Sequence, residues 1–328
     1  MRRRNSYRQL TRLTIAGAAF AALAPLFIWG QSKPPAPQPK AGEQSEGNDA
    51  VFSTDTRLVP LNVTVTDKSG RLVTNLPQSA FQVFENGVQQ QIKIFKREDV
   101  PVSLGLIIDN SGSMREKRQS VESAAVALVK DSNPQDEVFV INFNDEVYLD
   151  ADFTNDVSKM EQGLTKIDSR GGTAMRDAIR LSAEHLKEKA RRDKKVILVV
   201  TDGNDNASVV KFDELVKLCE QDDVLIYAIG LLTEEDKREA KKAQRALNEL
   251  TEFTGGVVFY PKDVSEVERI AHQVAHDLRN QYTIAYTPTN TALDGTFRSV
   301  KVTVKAPGNP IARTRSGYYA TDKGKGGK

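Results

Sequence analysis

A single cysteine, Cys219, in a chain of 328 residues excludes a disulfide framework and any cysteine-based metal site. It lies at helical spacing from Phe212, Leu215 and Leu218, so it reads as core packing and not as a reactive thiol. An excess of one charge is also lacking. The 46 basic and 44 acidic residues leave a net +2, which provides no strongly basic face for nucleic acid. Histidine is scarce, with three residues. His272 and His276 in A-H-Q-V-A-H share a helix face, but Gln273 stands where a metalloprotease needs its general-base glutamate. His185 is an ordinary helix residue. What is present suffices for a folded protein: 39% hydrophobic and 27% charged residues describe a globular chain with a real core, at a length that suits about two domains.

The N-terminus reads as a targeting segment. Arg2, Arg3, Arg4, Arg8 and Arg12 precede an apolar run from about Leu13 to Trp29, between a signal-peptide core and a membrane-spanning helix in length. Gly30-Gln31 is a candidate cleavage point, no cysteine follows to carry a lipid, and Asn5-Ser6 breaks a twin-arginine pattern. Residues 1–30 therefore predict export, as a cleaved signal peptide or a retained anchor that tethers the chain to a membrane. The remainder would be periplasmic, in the cell envelope or secreted. Residues 31–56 are a Pro-rich linker: 31–50 hold four prolines and no apolar periodicity.

From 57 to 99 the pattern is β. Leu61, Val63 and Val65 alternate with polar residues, and Phe81 to Phe84 and Gln91 to Phe95 form two more short strands joined across Glu85-Asn-Gly87. Three strands are too few for an independent sandwich. From 100 to 279 apolar strands alternate with amphipathic helices, with strands at 103–109, 137–143, 147–150, 195–201, 224–230 and 256–260. That alternation predicts a doubly wound α/β fold, a mostly parallel sheet covered on both faces. From 280 to 320 the β pattern resumes in Gln281 to Tyr286, Phe297 to Lys305 and a final short strand, Arg313 to Tyr319. The expected architecture is a small antiparallel β-sandwich built from both ends of the chain, with the α/β domain inserted. The lysine- and glycine-rich residues 321–328 read as a solvated tail.

Ligands in such α/β folds bind at the carboxyl ends of strands, where the strand order reverses. The strand 103–109 ends in Asp109-Asn-Ser-Gly-Ser113, and 195–201 ends in Thr201-Asp202-Gly203. Between them Ser169-Arg-Gly-Gly-Thr173 puts a hydroxyl just before a helix. Each piece alone is ordinary: a turn, an N-cap, a loop. Together Asp109, Ser111, Ser113, Thr173 and Asp202 are five hard oxygen donors on one sheet edge, suited to Mg²⁺, with Mn²⁺ or Ca²⁺ as alternatives. No His or Lys lies in these three segments to act as a base. Asp205 in G-N-D-N-A could shape the rim of the site, but it reads first as a solvated loop residue.

D-N-S-G-S, G-G-T and T-D-G resemble the three parts of the metal-ion-dependent adhesion site of von Willebrand factor type A domains. The resemblance implies that Ser111 and Ser113 bind the metal directly, and Thr173, Asp109 and Asp202 directly or through water. Asn110, where Thr or another small polar residue is commoner, departs from the pattern without being a ligand. Val65 to Gly70 (V-x-D-x-x-G), Phe81 to Gly87 (F-x-V-x-E-N-G), Gln90 to Phe95 (Q-x-I-x-x-F) and Arg315 to Tyr319 (R-x-G-Y-Y) extend the likeness to the VWFA-related family described from Acidobacteria.

The functional expectation is a non-enzymatic, exported binding protein. It would coordinate an acidic residue of a protein or peptide partner through the bound cation. The alternative is a scaffold or assembly factor of an envelope or secretion complex. A metal-dependent hydrolase comes third.

Overall fold

The computed structural model describes residues 57–97, 99–166, 169–232 and 237–321. The leader 1–30, the linker 31–56 and the tail from 322 lie outside the described residues. Among the described residues no helix is long and apolar enough to cross a membrane.

The first segment forms β1 (Val59–Thr66), β2 (Phe81–Glu85), β3 (Val88–Gln90) and β4 (Ile92–Lys96). The central segment continues with β5 (Val102–Asp109), α1 (Arg118–Asp131), β6 (Glu137–Phe143), β7 (Val147–Thr154), α2 (Val157–Leu164), α3 (Met175–Lys189) and β8 (Lys194–Thr201). It closes with α4 (Phe212–Gln221), β9 (Val224–Gly230), α5 (Lys237–Thr254), β10 (Val258–Phe259) and α6 (Val267–Arg279). The last segment supplies β11 (Tyr282–Tyr286), β12 (Phe297–Val304), β13 (Ile311–Arg313) and β14 (Gly317–Tyr319).

The central sheet runs β10-β9-β8-β5-β6-β7, parallel except for β7, which pairs antiparallel with β6. Its strands are apolar on both sides because both sides are covered. Leu104, Leu106 and Ile108 of β5, Leu198 of β8 and Tyr227 of β9 pack with α1, α2 and α6; Ile107, Ile197, Val199 and Ile226 pack with α3, α4 and α5. After β5 the chain moves outward through β6 and β7, then returns to β8 on the other side of β5. The strand order therefore reverses between β5 and β8, and the crevice at their carboxyl ends is the place for a ligand.

The flanking segments form two four-stranded antiparallel sheets, β13-β1-β11-β4 and β14-β12-β2-β3, each mixing strands from both ends of the described chain. They share one core: Val59, Leu61 and Val63 of β1, Phe81 and Val83 of β2, Tyr282 and Ile284 of β11, and Val302 of β12. Two details differ from the sequence reading. The Asn86-Gly87 turn, with φ of 47° and 80°, returns the chain into β3, a strand that alternation had not shown, and only then does β4 cross to the other sheet. The single terminal strand expected over 313–319 is two strands, β13 on β1 and β14 on β12.

The sandwich seats against the parallel sheet and α5: Gln281 Nε2, just before β11, donates to Thr64 Oγ1 at 2.9 Å and to Tyr227 Oη of β9 at 3.2 Å, and Ser316 N donates to Phe253 O at 3.2 Å. Lys194 Nζ, at the start of β8, donates to Leu278 O of α6 at 2.7 Å. Burial lowers the Lys194 ammonium to about 8. Asp109 and Asp202 lie at the other, carboxyl ends of β5 and β8.

Candidate metal centre

β5 and β8 are neighbours in register, Ile108 opposite Val200, so their last residues, Asp109 and Thr201, end the two strands side by side. Thr201 Oγ1 donates to Asp109 Oδ2 at 2.6 Å, and Ser111 N donates to Asp109 Oδ1 at 2.8 Å. Asp109 is 1% exposed. Burial pushes its carboxyl up to about 6; the Thr201 and Ser111 hydrogen bonds pull the other way, and the nearby negative Asp202 adds to the rise. A carboxylate kept in such a place is an incompletely compensated buried negative charge.

The turn Gly112–Met114 carries the two serines past it, with Met114 buried as its anchor. Ser111 Oγ and Ser113 Oγ stand 3.2 Å apart, and Ser113 Oγ donates to Asp202 Oδ1 at 2.7 Å. Ser111 and Asp202 are buried, while Ser113 is exposed and opens the cluster to solvent.

Thr173 arrives on a third loop that is stitched to the other two. Gly112 N donates to Gly171 O at 3.2 Å and Arg170 N to Asn110 O at 2.9 Å. On the other side Thr173 N donates to Asn206 Oδ1 at 2.9 Å, and Thr173 O accepts from Asn206 N and Ala207 N at 3.1 and 3.2 Å. A methyl on Gly203 would lie 3.8 Å from Thr173 Oγ1, so this hydroxyl faces the residue after Asp202. Gly171 has φ +72°, and a Cβ there would lie 2.0 Å from Asp145 Oδ2, whose Oδ1 accepts from Gly172 N at 2.7 Å. The expected result for Gly171→Ala is a displaced Thr173 loop: about 1–2 kcal/mol of left-handed backbone strain plus the Asp145 clash, read as a weaker Mg²⁺ isotherm in a still folded protein.

All five sequence-derived donors therefore sit on three interlocked loops at the strand-order reversal. Carboxylate oxygens carry several acceptor sites, so the hydrogen bonds already made at Asp109 and Asp202 leave lone pairs for a cation. The donor set is rich in hydroxyls. Among the described residues no three His, Cys, Asp or Glu side chains cluster in a way that could hold a metal by themselves, so an ion here depends on Ser111, Ser113 and Thr173. By hardness the set fits Mg²⁺. His272 forms no rival site with His276: its Nδ1 pairs with Asp131 and its Nε2 lies 3.9 Å from Glu268.

The structure adds roles for three residues: Thr201, which the sequence placed in a motif without a part to play, Lys117, which it missed, and Asp205, which it read mainly as solvated. Thr201 orients Asp109, and its place beside that carboxylate follows once the β5–β8 register is known. Lys117 Nζ donates to Asp202 Oδ2, bringing a cation to the site from just beyond the first motif. Asp205, expected to be solvated, has a side chain 7% exposed and ties the loop after β8 to α3. It accepts from Arg176 N at 2.7 Å and Ser208 Oγ at 2.7 Å, and pairs with Arg176 Nη2 at 3.1 Å. Asn110 Nδ2 donates to Asn142 Oδ1 at 2.7 Å.

Residues 104–204 match the family model of the von Willebrand factor type A domain, a span that begins in β5 and ends just past Asp202. No curated protein matches the chain. Among solved structures, the chain is similar to a von Willebrand factor type A protein from Catenulispora acidiphila, 12% identical, with 80% of this chain and 73% of that one covered at a TM-score of 0.47. It is similar to the PilB minor pilin from Streptococcus sanguinis, 13% identical over 56% of this chain and 63% of that one, TM-score 0.45. It is also similar to an aerotolerance-related membrane protein from Bacteroides fragilis, 17% identical over 53% of this chain and 98% of that one, TM-score 0.43.

Proposed function

We propose that this chain, with a von Willebrand factor type A domain at its centre, is an exported, non-catalytic binding protein. It captures a carboxylate of a protein or peptide partner through a divalent cation held by Asp109, Ser111, Ser113, Thr173 and Asp202. The observation that carries the reading is the hydrogen-bonded group Ser111–Ser113–Asp202, assembled by residues far apart in the chain and open to solvent at Ser113. With Mg²⁺ bound, such a site offers an open coordination position to a hard anionic oxygen.

The surroundings support binding over turnover. Among the described residues the side-chain nitrogen bonded to a carboxylate of the cluster is Lys117 Nζ, and an ammonium engaged with a carboxylate donates and has no lone pair to take up a proton. His185 and His272 are committed elsewhere, to Asp152 and Asp131. Export rests on the leader-like residues 1–30, which would place the site in the envelope or outside the cell.

The test is Mg²⁺-dependent capture of a carboxylate-bearing partner, lost in excess chelator and in Asp109→Ala. Capture that survives both overturns the reading. Recovery of a stoichiometric complex stable to chelation favours instead a structural role in an envelope assembly.

A further inference from the structure

The run Arg115–Arg118 (R-E-K-R) follows the first motif directly, and its basic residues part company in the fold. Arg115 Nη2 donates to Ser169 O at 3.1 Å. Arg118 Nε pairs with Glu122 at 2.6 Å, and its Nη2 donates to Leu164 O at 3.3 Å. Lys117 alone of the three turns to the oxygen cluster and pairs with Asp202. Its backbone is fixed at the entrance to α1, with Lys117 N donating to Met114 O at 3.0 Å and Val121 N to Lys117 O at 3.1 Å. The Lys117 side chain keeps 21% of its surface while that of Asp202 keeps 1%, so the ammonium reaches inward from solvent to a sealed carboxylate.

We propose that Lys117 sets the ligand specificity of this site: it competes with the divalent ion for Asp202 and, once displaced, stays beside the loaded site as the surplus positive charge that selects an anionic ligand. The inference rests on the metal-site reading above. The competition follows from the atoms. Asp202 Oδ1 is engaged by Ser113, and Oδ2 is the oxygen that Lys117 takes. An ion that draws on Oδ2 must share it with an ammonium, and like charges a few ångströms apart repel. The selection follows from charge balance. Two carboxylates formally neutralise a divalent ion, so hydroxyl donors add none and the loaded cluster is neutral without Lys117. With Lys117 beside it the cluster carries one positive charge, which a carboxylate cancels and a neutral oxygen ligand does not.

The experiment titrates Mg²⁺ alone into wild type, Lys117→Met and Lys117→Arg by calorimetry, then acetate into each Mg²⁺-saturated protein by NMR. Lys117→Met should bind Mg²⁺ about tenfold more tightly than wild type, and its loaded form should bind acetate about tenfold more weakly, the scale of one partly buried ion pair. Lys117→Arg, which keeps the charge, should track wild type in both. Should Lys117→Met fold poorly, Lys117→Gln carries the same expectation, since it keeps an N–H donor without the charge. Equal Mg²⁺ affinity in wild type and the neutral variants overturns the competition. Equal acetate affinity, or none in loaded wild type, overturns the selection. Absence of Mg²⁺ binding in every protein overturns the metal-site reading itself, an outcome distinct from either.

Discussion

In excess chelator at pH 8, Asp109→Asn should unfold at a higher temperature than wild type, and it should gain nothing when Mg²⁺ is supplied. The reason lies in where the carboxylate sits. Asp109 is sealed at the junction of β5 and β8, and burial raises its carboxyl to about 6 from 3.8. Below about pH 4 the folded and unfolded chains both hold the proton, so the burial costs nothing extra. Between about 4 and 6 the unfolded chain ionises first, and the metal-free fold loses stability as pH rises, keeping that deficit above the window. A shift of this size corresponds to about 3 kcal/mol. Asparagine is nearly isosteric, keeps a carbonyl acceptor for the Thr201 hydroxyl or the Ser111 N–H, and does not ionise. Other buried acids share the window, Asp277 raised to about 6 and Glu220 to about 7, both by burial, so the difference between wild type and variant isolates Asp109. Mg²⁺ reverses the sign, because a ligand carboxylate must be ionised to hold it. At a thousandfold excess over Kd wild type should gain about 4 kcal/mol and the variant none. Thermal unfolding from pH 4 to 8, with and without Mg²⁺, reads both effects. An equal Mg²⁺-induced shift in the two proteins would show that Asp109 holds no metal.

The three loops of the site were legible because each declares itself locally: an apolar strand stops, and oxygen-bearing side chains follow. Alternating apolar strands and helices gave the sheet, and the sheet brings Asp109 and Asp202 to one edge. Lys117 was not legible. It lies in a run of charged residues that reads as a solvated face, and only the turn over Gly112–Met114 decides which of Arg115, Lys117 and Arg118 points at the cluster. Asp205, for which the sequence left a place on the rim as the second reading, was placed mainly in solvent for a similar reason: its partners, Arg176 and the start of α3, come from 29 residues away. In the sandwich, β3 escaped because Val88 and Gln89 are exposed and only Gln90 is buried, too short a stretch for alternation to register. The last segment changes sheets midway because Arg315 between its two strands is pulled aside, donating to Pro60 O at 2.8 Å and pairing with Asp223. Local periodicity carries no information about such a crossing.

Among the described glycines Gly256→Ala should be the most destabilising, and it should leave the proposed metal site of the folded fraction unchanged. The chain leaves α5 through Gly255, at φ +84°, and Gly256 then passes across β9 so closely that a Cβ would lie 1.8 Å from Ile226 O and 2.6 Å from Ile226 C. Both atoms belong to the backbone of a strand hydrogen-bonded on each side, to β8 and β10, so neither can yield as a side-chain tip would. Gly255 is confined in the same way by the sandwich, where a Cβ would meet Arg315 N at 2.4 Å and Thr314 C at 2.6 Å. The glycine pair is thus the point where α5, the parallel sheet and the last sandwich segment converge, and Ser316 N seals it by donating to Phe253 O at 3.2 Å. Making room for one methyl means separating backbones, which costs upward of about 3 kcal/mol. The urea midpoint should fall by a corresponding amount, with the slope unchanged if the fold remains two-state. Ile226 sits near the start of β9, whereas Asp109 ends β5 and Asp202 follows β8 at the far side of the sheet. Mg²⁺ affinity measured below the urea transition should therefore match wild type. An affinity that falls in step with stability would mean that the glycine seam and the metal loops move together, and that the sandwich helps to set the site from the opposite pole of the sheet.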